Sequence, residues 1–474
     1  MTGKLYIWHR RLALIVMVPL LLFGLSGLLH PVMRLTAPEV EKRFYVPPVW
    51  PGSLPSLKSL PADFPLEKTA GLRPVKVNDS WYLQHWNSRE KASQLYDLNG
   101  KNIPDTAEAY AIQLARHFSG DHSSKINQVR LLTEFSQSYA PINRLLPIWE
   151  VQLNRPDNLS VFVDIRQDRL ATLVDDQRRL FMTTFQYLHV WAFIDPEHPV
   201  RTLIFISLMT ASLVLGVSGL YLFCVLPLKR RKSKDLKKLH AWSGVIISLS
   251  LLMFVSSGLV RTFEKQIPEV RGLTLDQQMD LSDLNVGPLE LQANYSEITN
   301  IYPHLIDGSV VWQLIQPRKP DIWISAETGE VIPSGGVLFA SELISTLQLE
   351  QNPESNHRVI FNFKADEHYG FIDKRLPVIA LDYPGQSYYV DTRDAVLSVR
   401  VNETDKVFSW IFRYLHKWRF ADGLGLNIRD TLISVFVLGI SLTILLGFKS
   451  WVKRRRKQRV ATASPKRIEP TVNV

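Results

Sequence analysis

The chain has 474 residues, of which 46% are hydrophobic and 21% are charged, a composition that allows several domains and excludes a disordered protein. Its net charge of +10 could indicate a nucleic-acid partner. The basic residues cluster beside apolar runs rather than along a soluble face, which argues against nucleic acid. A single cysteine, Cys224, excludes an intrachain disulfide, an iron–sulfur cluster and a Cys-based zinc site.

Four uncharged apolar runs have about the 20 residues that a membrane-crossing helix needs. They cover residues 12–29, 202–228, 241–260 and 431–448. The first run lies where a secretory signal peptide would lie, but it is long and no small-residue cleavage site follows it. We therefore expect it to be kept as an anchor and predict four transmembrane helices.

Clusters of basic residues lie beside these runs at alternate ends. They lie before the first run, between the second and third, and after the fourth: Lys4, Arg10, Arg11, Lys229, Arg230, Arg231, Lys232, Lys234, Lys237, Lys238, Lys449, Lys453, Arg454, Arg455, Arg456, Lys457 and Arg459. The positive-inside rule makes these places cytoplasmic. This predicts a multi-pass protein of a bacterial inner membrane, with both termini in the cytoplasm and two large segments in the periplasm.

An internal repeat organises the chain. At an offset of 227 residues, Tyr-Leu-His-Val-Trp at 187–191 matches Tyr-Leu-His-Lys-Trp at 414–418, and at an offset of 231 His9 matches His240. The further matched pairs are Val163-Asp164 with Val390-Asp391, Arg166 with Arg393, Phe181 with Phe408, and Ser26-Gly27 with Ser257-Gly258. Each half thus contains a histidine, a membrane helix, an outer domain, the Tyr-Leu-His-x-Trp motif and a second membrane helix.

Both outer segments end with the same pattern. An apolar strand beginning at Leu146-Pro147 or Leu376-Pro377 is followed by a turn, a second strand and a Val-Asp-x-Arg turn, to which we assign a structural role. Upstream in the first half, residues 107–118 have the spacing of an amphipathic helix, so a small α+β domain is predicted. The proline-rich residues 47–65 are typical of an extended linker.

The predicted fold is a membrane α-helical protein with four transmembrane helices, two α+β periplasmic domains and a tandem internal repeat. Its divisions are helix 1 with a cytoplasmic N-terminus (1–30), the first periplasmic domain (31–185), an interfacial helix with helix 2 (186–228), a basic cytoplasmic loop (229–239), helix 3 (240–261), the second periplasmic domain (262–412), an interfacial helix with helix 4 (413–448) and a basic cytoplasmic tail (449–474).

Five of the twelve histidines lie at predicted membrane edges: His9 and His240 inside, and His30, His189 and His416 outside. Ionisable groups at this boundary are candidates for function, and imidazole is a common iron ligand. The alternative is interfacial anchoring beside tryptophan. Because four of these histidines match across the repeat, we favour ligation, and we favour haem over bare metal because the helices lack the carboxylates that accompany histidine in other sites.

Asp195 and Asp422 follow their histidines by six residues in both halves. They are candidates for orienting a ligand or binding substrate. The plainer interpretation is that they cap a helix or pair with Arg201 and Arg429.

Several motifs resemble those of the PepSY-associated transmembrane family. They are Trp8-His9-Arg10 before a helix that ends in Ser26-Gly27-Leu28-Leu29, Leu239-His240 with Trp242-Ser243-Gly244, the Leu-His-x-Trp pairs, and the strand–turn–strand ends at Val163-Asp164 and Val390-Asp391, which are similar to PepSY modules. This family includes bacterial inner-membrane proteins of iron acquisition. Among them are dihaem reductases of ferric iron, free or siderophore-bound, in the periplasm.

The resemblance implies electron transfer through two haem b groups to a ferric substrate. His9 and His240 match the inner axial ligands, and His189 and His416 match the outer ones. The repeat partner of His30 is Arg261. His30 is therefore a candidate fifth ligand or substrate-side residue, and Arg261 is a candidate for orienting a ligand or binding substrate. An outer pair of His30 with either His189 or His416 remains an alternative.

The chain contains no sequence motif for flavin, nicotinamide or nucleotide binding. The electron donor is therefore expected to be a quinol or a separate reductase. Two alternatives remain: a PepSY-type periplasmic sensor or regulatory binding protein anchored by its helices, and a transporter subunit. Matching histidines at both faces favour the reductase, because a sensor does not need them.

Overall fold

The structure, a computed structural model, describes residues 2–50, 55–88, 91–195, 197–226, 236–275, 277–287, 291, 295, 297–317, 319–350, 356–363 and 368–463. Residues 229–235 of the predicted basic loop and the tail from residue 464 lie outside this set. The chain divides into two compact units. The helical unit comprises Met1–Thr36, Phe181–Pro268 and Val407–Val474, and the sheet unit comprises Ala37–Leu180 and Glu269–Lys406.

The α-helices of the described residues include four of membrane-crossing length. In chain order they are α1 (Thr2–Gly27), α2 (Leu29–Leu35), α3 (Thr106–Ser119), α4 (Asp176–Leu188), α5 (Pro199–Val225), α6 (Leu236–Glu264), α7 (Gly335–Thr346), α8 (Glu403–Ile411) and α9 (Leu426–Ala463). Helices α1, α5, α6 and α9 are long and apolar enough to cross a membrane. The prediction of four membrane helices is confirmed to this extent.

The four long helices of the helical unit pack as a bundle. Helix α1 contacts α5 and α9, and α6 contacts the same two helices. Val16, Leu20 and Val255 form the buried centre of the bundle. Other apolar side chains point outward, such as Ile15, which is 64% exposed, and Leu249, which is 69% exposed. A bundle with an apolar exterior as well as an apolar centre suits a lipid environment.

Within its described residues, the sheet unit contains four antiparallel sheets. Its strands are β1 (Gly71–Val77), β2 (Ser80–Trp86), β3 (Gln94–Asp97), β4 (Ile126–Leu132), β5 (Ile148–Leu153), β6 (Ser160–Asp164), β7 (Arg169–Val174), β8 (Arg271–Thr274), β9 (Asn300–Ile306), β10 (Ser309–Ile315), β11 (Ile322–Ser325), β12 (Asn356–Ile360), β13 (Val378–Tyr383), β14 (Gln386–Asp391) and β15 (Val396–Asn402). The sheet orders are β1-β2-β3, β4-β5-β6-β7, β11-β10-β9 and β12-β13-β14-β15-β8.

Helix α3 packs one face against these sheets. Tyr110, Leu114 and Phe118, spaced by four residues, are buried together with sheet residues, as one face of a helix requires. The helix ends at Gly120, whose φ of 71° is a conformation that glycine adopts readily. The predicted helix over residues 107–118 is confirmed.

The central strands β6 and β14 use alternate residues for two separate cores. Val161 packs into the core that contains α3, whereas Phe162 packs beside Tyr139 on the opposite face. In β14, Val390 and Tyr389 divide between two cores in the same way. This division follows from the two-residue period of a strand.

The prediction of an extended linker over residues 47–65 is wrong for its described part. Leu57–Ser59 form a short 3₁₀ helix, and Trp50, Leu57 and Phe64 are buried. They belong to a core shared with Leu281 and other residues of the second half. The apolar residues between the prolines bury enough surface to favour packing over an extended chain.

Buried polar contacts of two arginines also join the two halves of the sheet unit. The Arg73 guanidinium is fully buried and donates to Asp168 at 2.6 Å and to Asn300 at 3.1 Å. Arg169 donates to Asp391 at 3.1 Å. In the first Val-Asp-x-Arg turn, Asp164 accepts the backbone N–H of Arg166 at 3.0 Å, which is a structural contact of the predicted kind.

Candidate functional site

Histidines of the Tyr-Leu-His-x-Trp motifs contact the last turns of α1 and α6, at what we call the His189 end of the bundle. Helix α4 ends at Leu188, and His189 follows it directly. His189 Nδ1 lies 3.0 Å from the carbonyl oxygen of Phe23 and 3.2 Å from Ser26 Oγ. Its ring stacks on Phe185 at a centroid distance of 4.6 Å. The ring is therefore held on two sides.

The second half repeats this arrangement with matching residues. His416 lies at the end of a π-helical turn, Phe412–His416. Its Nδ1 is 3.1 Å from Ser257 Oγ, and its ring stacks on Phe412 at 4.9 Å. Phe254, the counterpart of Phe23, meets the His416 ring edge-on at 5.7 Å.

The two motif histidines lie next to each other. Their ring centroids are 6.4 Å apart, and their planes are inclined by 80°. His30 lies within electrostatic reach of both rings. The structure thus brings together all three histidines predicted at this face, and the adjacent pair is His189 with His416.

The tryptophans of the motifs pack against the same helices. Trp191 stacks on Phe23 at 5.5 Å, and Trp418 stacks on Phe254 at 5.5 Å. Both tryptophans have a positive φ, 53° and 50°, which is uncommon for a bulky residue. The motif therefore turns the chain sharply after its histidine and packs its tryptophan beside that histidine.

At the other end of the bundle, the His9 end, two further histidines are held by neighbouring helices. His9 Nδ1 lies 3.0 Å from Ser218 Oγ on α5, and His240 Nδ1 lies 2.9 Å from the carbonyl oxygen of Thr443 on α9. His9 and His240 are within electrostatic reach of each other. These two predicted residues are also brought together.

Two glycines permit this packing at the His9 end. A Cβ at Gly219 would lie 3.1 Å from His9 Cε1, and a Cβ at Gly447 would lie 2.9 Å from His240 Cε1. The second distance is shorter than side-chain atoms tolerate. Each imidazole therefore packs directly against the backbone of the neighbouring helix.

Charged side chains surround the His189 end. Asp422 pairs with Arg429 at 2.6 Å, and Asp430 pairs with Arg34 at 2.6 Å. Asp195 accepts the backbone N–H of Glu197 at 3.0 Å, a local turn contact. Burial lowers the pKa of Lys417, and the charges of nearby arginines lower it further.

The four imidazoles have one chemical arrangement in common. Among the described residues, their hydrogen bonds are all made through Nδ1. Such a bond fixes the ring's orientation and leaves Nε2 as the nitrogen that can bind a metal. Within the described ranges, no three side chains of His, Cys, Asp or Glu form a cluster suited to a bare metal ion. The arrangement is therefore one histidine pair at each end of the bundle.

Several residues of this site were not recognised in the sequence as contacts of the histidines. Ser26 and Ser257 appeared there only as repeated helix residues, and Phe185 matches Phe412 at the same offset as the histidines. Those sequence matches could have indicated that these residues contact the histidines. Ser218 and Thr443 have no matching residue in the other half of the repeat.

The bundle and its histidine pairs define a multi-pass membrane protein with paired imidazoles at both ends of its helices. The sequence matches the model of the PepSY-associated TM region family over residues 6–454. The chain belongs to this family, as its motifs predicted. None of the curated proteins with which the chain was compared matches it.

Proposed function

We propose that this protein is a haem-containing reductase that passes electrons across a bacterial inner membrane to ferric iron or a ferric siderophore in the periplasm. One observation carries the proposal: a histidine pair lies at each end of one helical bundle, and every imidazole is fixed through Nδ1. Anchoring at a membrane surface does not require this common orientation. Imidazoles that bind a metal almost always have their other ring nitrogen hydrogen-bonded in this way.

At the His189 end, His189 and His416 would hold one haem between their imidazoles. Their ring centroids lie 6.4 Å apart. The flanking side chains are apolar, with Phe185 and Phe412 stacked on the two imidazoles, as a porphyrin slot needs.

We assign one haem b to His189 with His416 and another to His9 with His240. When bound, each haem supplies reversible one-electron Fe(III)/Fe(II) chemistry. Ser26, Ser257, Ser218 and the Thr443 carbonyl hold the rings in the ligand orientation. His30 stands beside the outer pair as a candidate substrate-side residue.

The described basic residues support a cytoplasmic location for the His9 end. Arg10 and Arg11 lie in the first turns of α1, Lys237 and Lys238 begin α6, and Arg454 lies near the end of α9. The positive-inside rule then assigns both termini to the cytoplasm and the sheet unit to the periplasm.

Matching contacts support a tandem repeat with PepSY-like outer domains. The Tyr139 hydroxyl donates to the Leu145 carbonyl, and the Tyr369 hydroxyl donates to the Arg375 carbonyl at the equivalent place. The two rings stack in turn on Phe162 and Tyr389. Matching contacts also occur at His189 and His416, which supports a repeat that extends through both units.

The proposed reaction transfers one electron to each ferric ion. Ferrous iron binds siderophores weakly, so reduction releases it. The electron is supplied by a quinol or a separate reductase on the cytoplasmic or membrane side.

The test is a visible spectrum of the detergent-purified protein before and after dithionite, with a pyridine haemochrome assay. We expect a sharpened α-band on reduction and about two haems per chain. In inverted vesicles with a quinol donor, reduction of enclosed ferric chelate should follow. A colourless protein, after expression with haem precursor, would exclude the reductase and favour the anchored periplasmic sensor.

A further inference from the structure

The His189 end carries more basic side chains than its carboxylates can neutralise. We call it the cationic cluster: Arg34, Arg261, Arg413, Lys417, Arg419 and Arg429. Glu264, Asp422 and Asp430 pair with four of its arginines. These four arginines share three carboxylates, and Lys417 adds a fifth cation, so the cluster keeps positive charge.

Lys417 is the member whose charge has no acidic partner among the described residues. Its ammonium lies 5.1 Å from the centroid of the Phe412 ring, and the Arg261 guanidinium lies 5.6 Å from the same ring. Both cations therefore gather around the aromatic ring that stacks on His416. Arg261 is paired with Glu264 at 2.5 Å, so the charge that remains for an external anion at this ring is that of Lys417.

His30 extends this cationic surface toward the outer histidine pair. The charges of Lys417, Arg429 and Arg34 act on its imidazole, together with the opposite charge of Asp430. Its side chain makes no hydrogen bond within the described part of the chain, in contrast to the four imidazoles fixed through Nδ1. An imidazole that lies close to the cluster and makes no other hydrogen bond is suited to binding a ligand.

We propose that Lys417, Arg261 and His30 form a binding site for carboxylate groups at the His189 end, and that its ligand is an anionic, carboxylate-bearing ferric chelate. Carboxylates accept strong charge-assisted hydrogen bonds from guanidinium and ammonium groups. A neutral or cationic chelate gains nothing from this cluster. The inference rests on the proposed reductase function, since it names the substrate class, but its test does not depend on electron transfer.

The test uses gallium(III) citrate, an anionic chelate whose metal is not reduced under these conditions. Equilibrium dialysis of the full-length protein in detergent, with gallium measured by mass spectrometry, gives the dissociation constant. We expect binding that weakens as salt is added. Lys417→Gln should weaken it about tenfold or more, because a charge-assisted contact is lost. A neutral gallium trihydroxamate should bind more weakly than the citrate complex.

Arg454→Gln is the matched control, because Arg454 is an exposed basic residue near the end of α9. Its binding constant should equal that of the wild type. Equal binding by Lys417→Gln, or a preference for the neutral chelate, would overturn the proposal.

Porphyrin carboxylates are the other source of the same chemistry, so haem content is measured for each variant. If Lys417→Gln loses haem while chelate binding is unchanged, the cluster holds the porphyrin, and the substrate proposal is wrong. A colourless protein that still binds gallium citrate at Lys417 would instead refute the reductase and leave the carboxylate site standing.

Discussion

The imidazole rings of His189 and His416 lie 6.4 Å apart at an angle of 80°, although 227 residues separate them in the sequence. Each ring is held by its own half of the chain, His189 by Phe23 and His416 by Ser257. The space between the rings therefore belongs to both halves, and neither half can complete it alone.

Removal of either histidine should remove one haem. His416→Ala and His189→Ala should each lower the haem-to-protein ratio from about two to about one, because each pair has only two axial ligands. The pyridine haemochrome assay measures the ratio. His122→Ala, a change in an exposed loop, is the control. An unchanged ratio in His416→Ala would contradict the assigned ligands.

Loss of the serine contact should loosen the outer haem without removing it. Ser257→Ala deletes the hydroxyl that lies 3.1 Å from His416 Nδ1, and contacts of this kind typically contribute about 10- to 100-fold in metal affinity. Transfer of haem to excess apomyoglobin should be roughly tenfold faster than in the wild type. Ser256→Ala is the matched control, since its hydroxyl donates to the Leu252 carbonyl of its own helix. Equal rates in both variants would refute the role of Ser257.

A methyl group at Gly447 should displace the inner histidine. Its carbon would stand 2.9 Å from His240 Cε1, so Gly447→Ala should lower the haem ratio to about one and leave the outer haem in place. The control is Gly3→Ala, where a Cβ meets nothing within 4 Å. Combining Gly447→Ala with His416→Ala should give a colourless protein. A double variant that keeps one haem would mean that Gly447 does not serve the inner site.

The buried pair of Arg73 and Asp168 should be important for the stability of the sheet unit. Arg73→Met leaves a buried carboxylate without its partner, which typically costs about 3–5 kcal/mol. We expect a clear fall in the thermal midpoint measured by near-ultraviolet circular dichroism. Lys319→Met breaks the exposed pair with Glu297 and should cost no more than about 1 kcal/mol. Similar losses in the two variants would show that burial is not the cause.

Lys374 should make the stability depend on pH. Burial, together with Arg178 and Arg144, lowers its pKa from 10.5 to about 8. Between these values the unfolded chain binds a proton that the folded protein does not, so raising the pH from 8 to 10.5 stabilises the folded state through this residue. The thermal midpoint of the wild type should therefore rise relative to that of Lys374→Met across this window. Parallel pH curves would contradict this.

The membrane helices could be predicted from sequence because a crossing demands a run of fixed length and composition. The histidine pairs could be predicted because the repeat marks His9 with His240 and His189 with His416. The choice between His30 and the motif histidines required coordinates, since spacing along the chain does not determine which rings face each other across a bundle.

Other parts of the site depend on contacts that have no local sequence pattern. Gly447 matters because His240, far from it in the chain, packs against its backbone. Arg73 has a polar side chain in the middle of a strand and gives no hint of its partner Asp168. The linker prediction for residues 47–65 failed because proline content predicts local extension, whereas Trp50 and Phe64 find their packing partners in the other half.

The core that joins Trp50 and Phe64 to Leu281 and Trp312 has a consequence for biogenesis. On the proposed topology, the first half of the sheet unit leaves the translocation machinery before the residues that complete its core have been synthesised. Helices α5 and α6 must be inserted before those residues arrive. The first half therefore remains an incompletely folded intermediate until the second half has been synthesised. During that time it is exposed to the proteases and chaperones of its compartment. A ribosome that stalls within α6 would release a product that lacks the residues needed to complete this core.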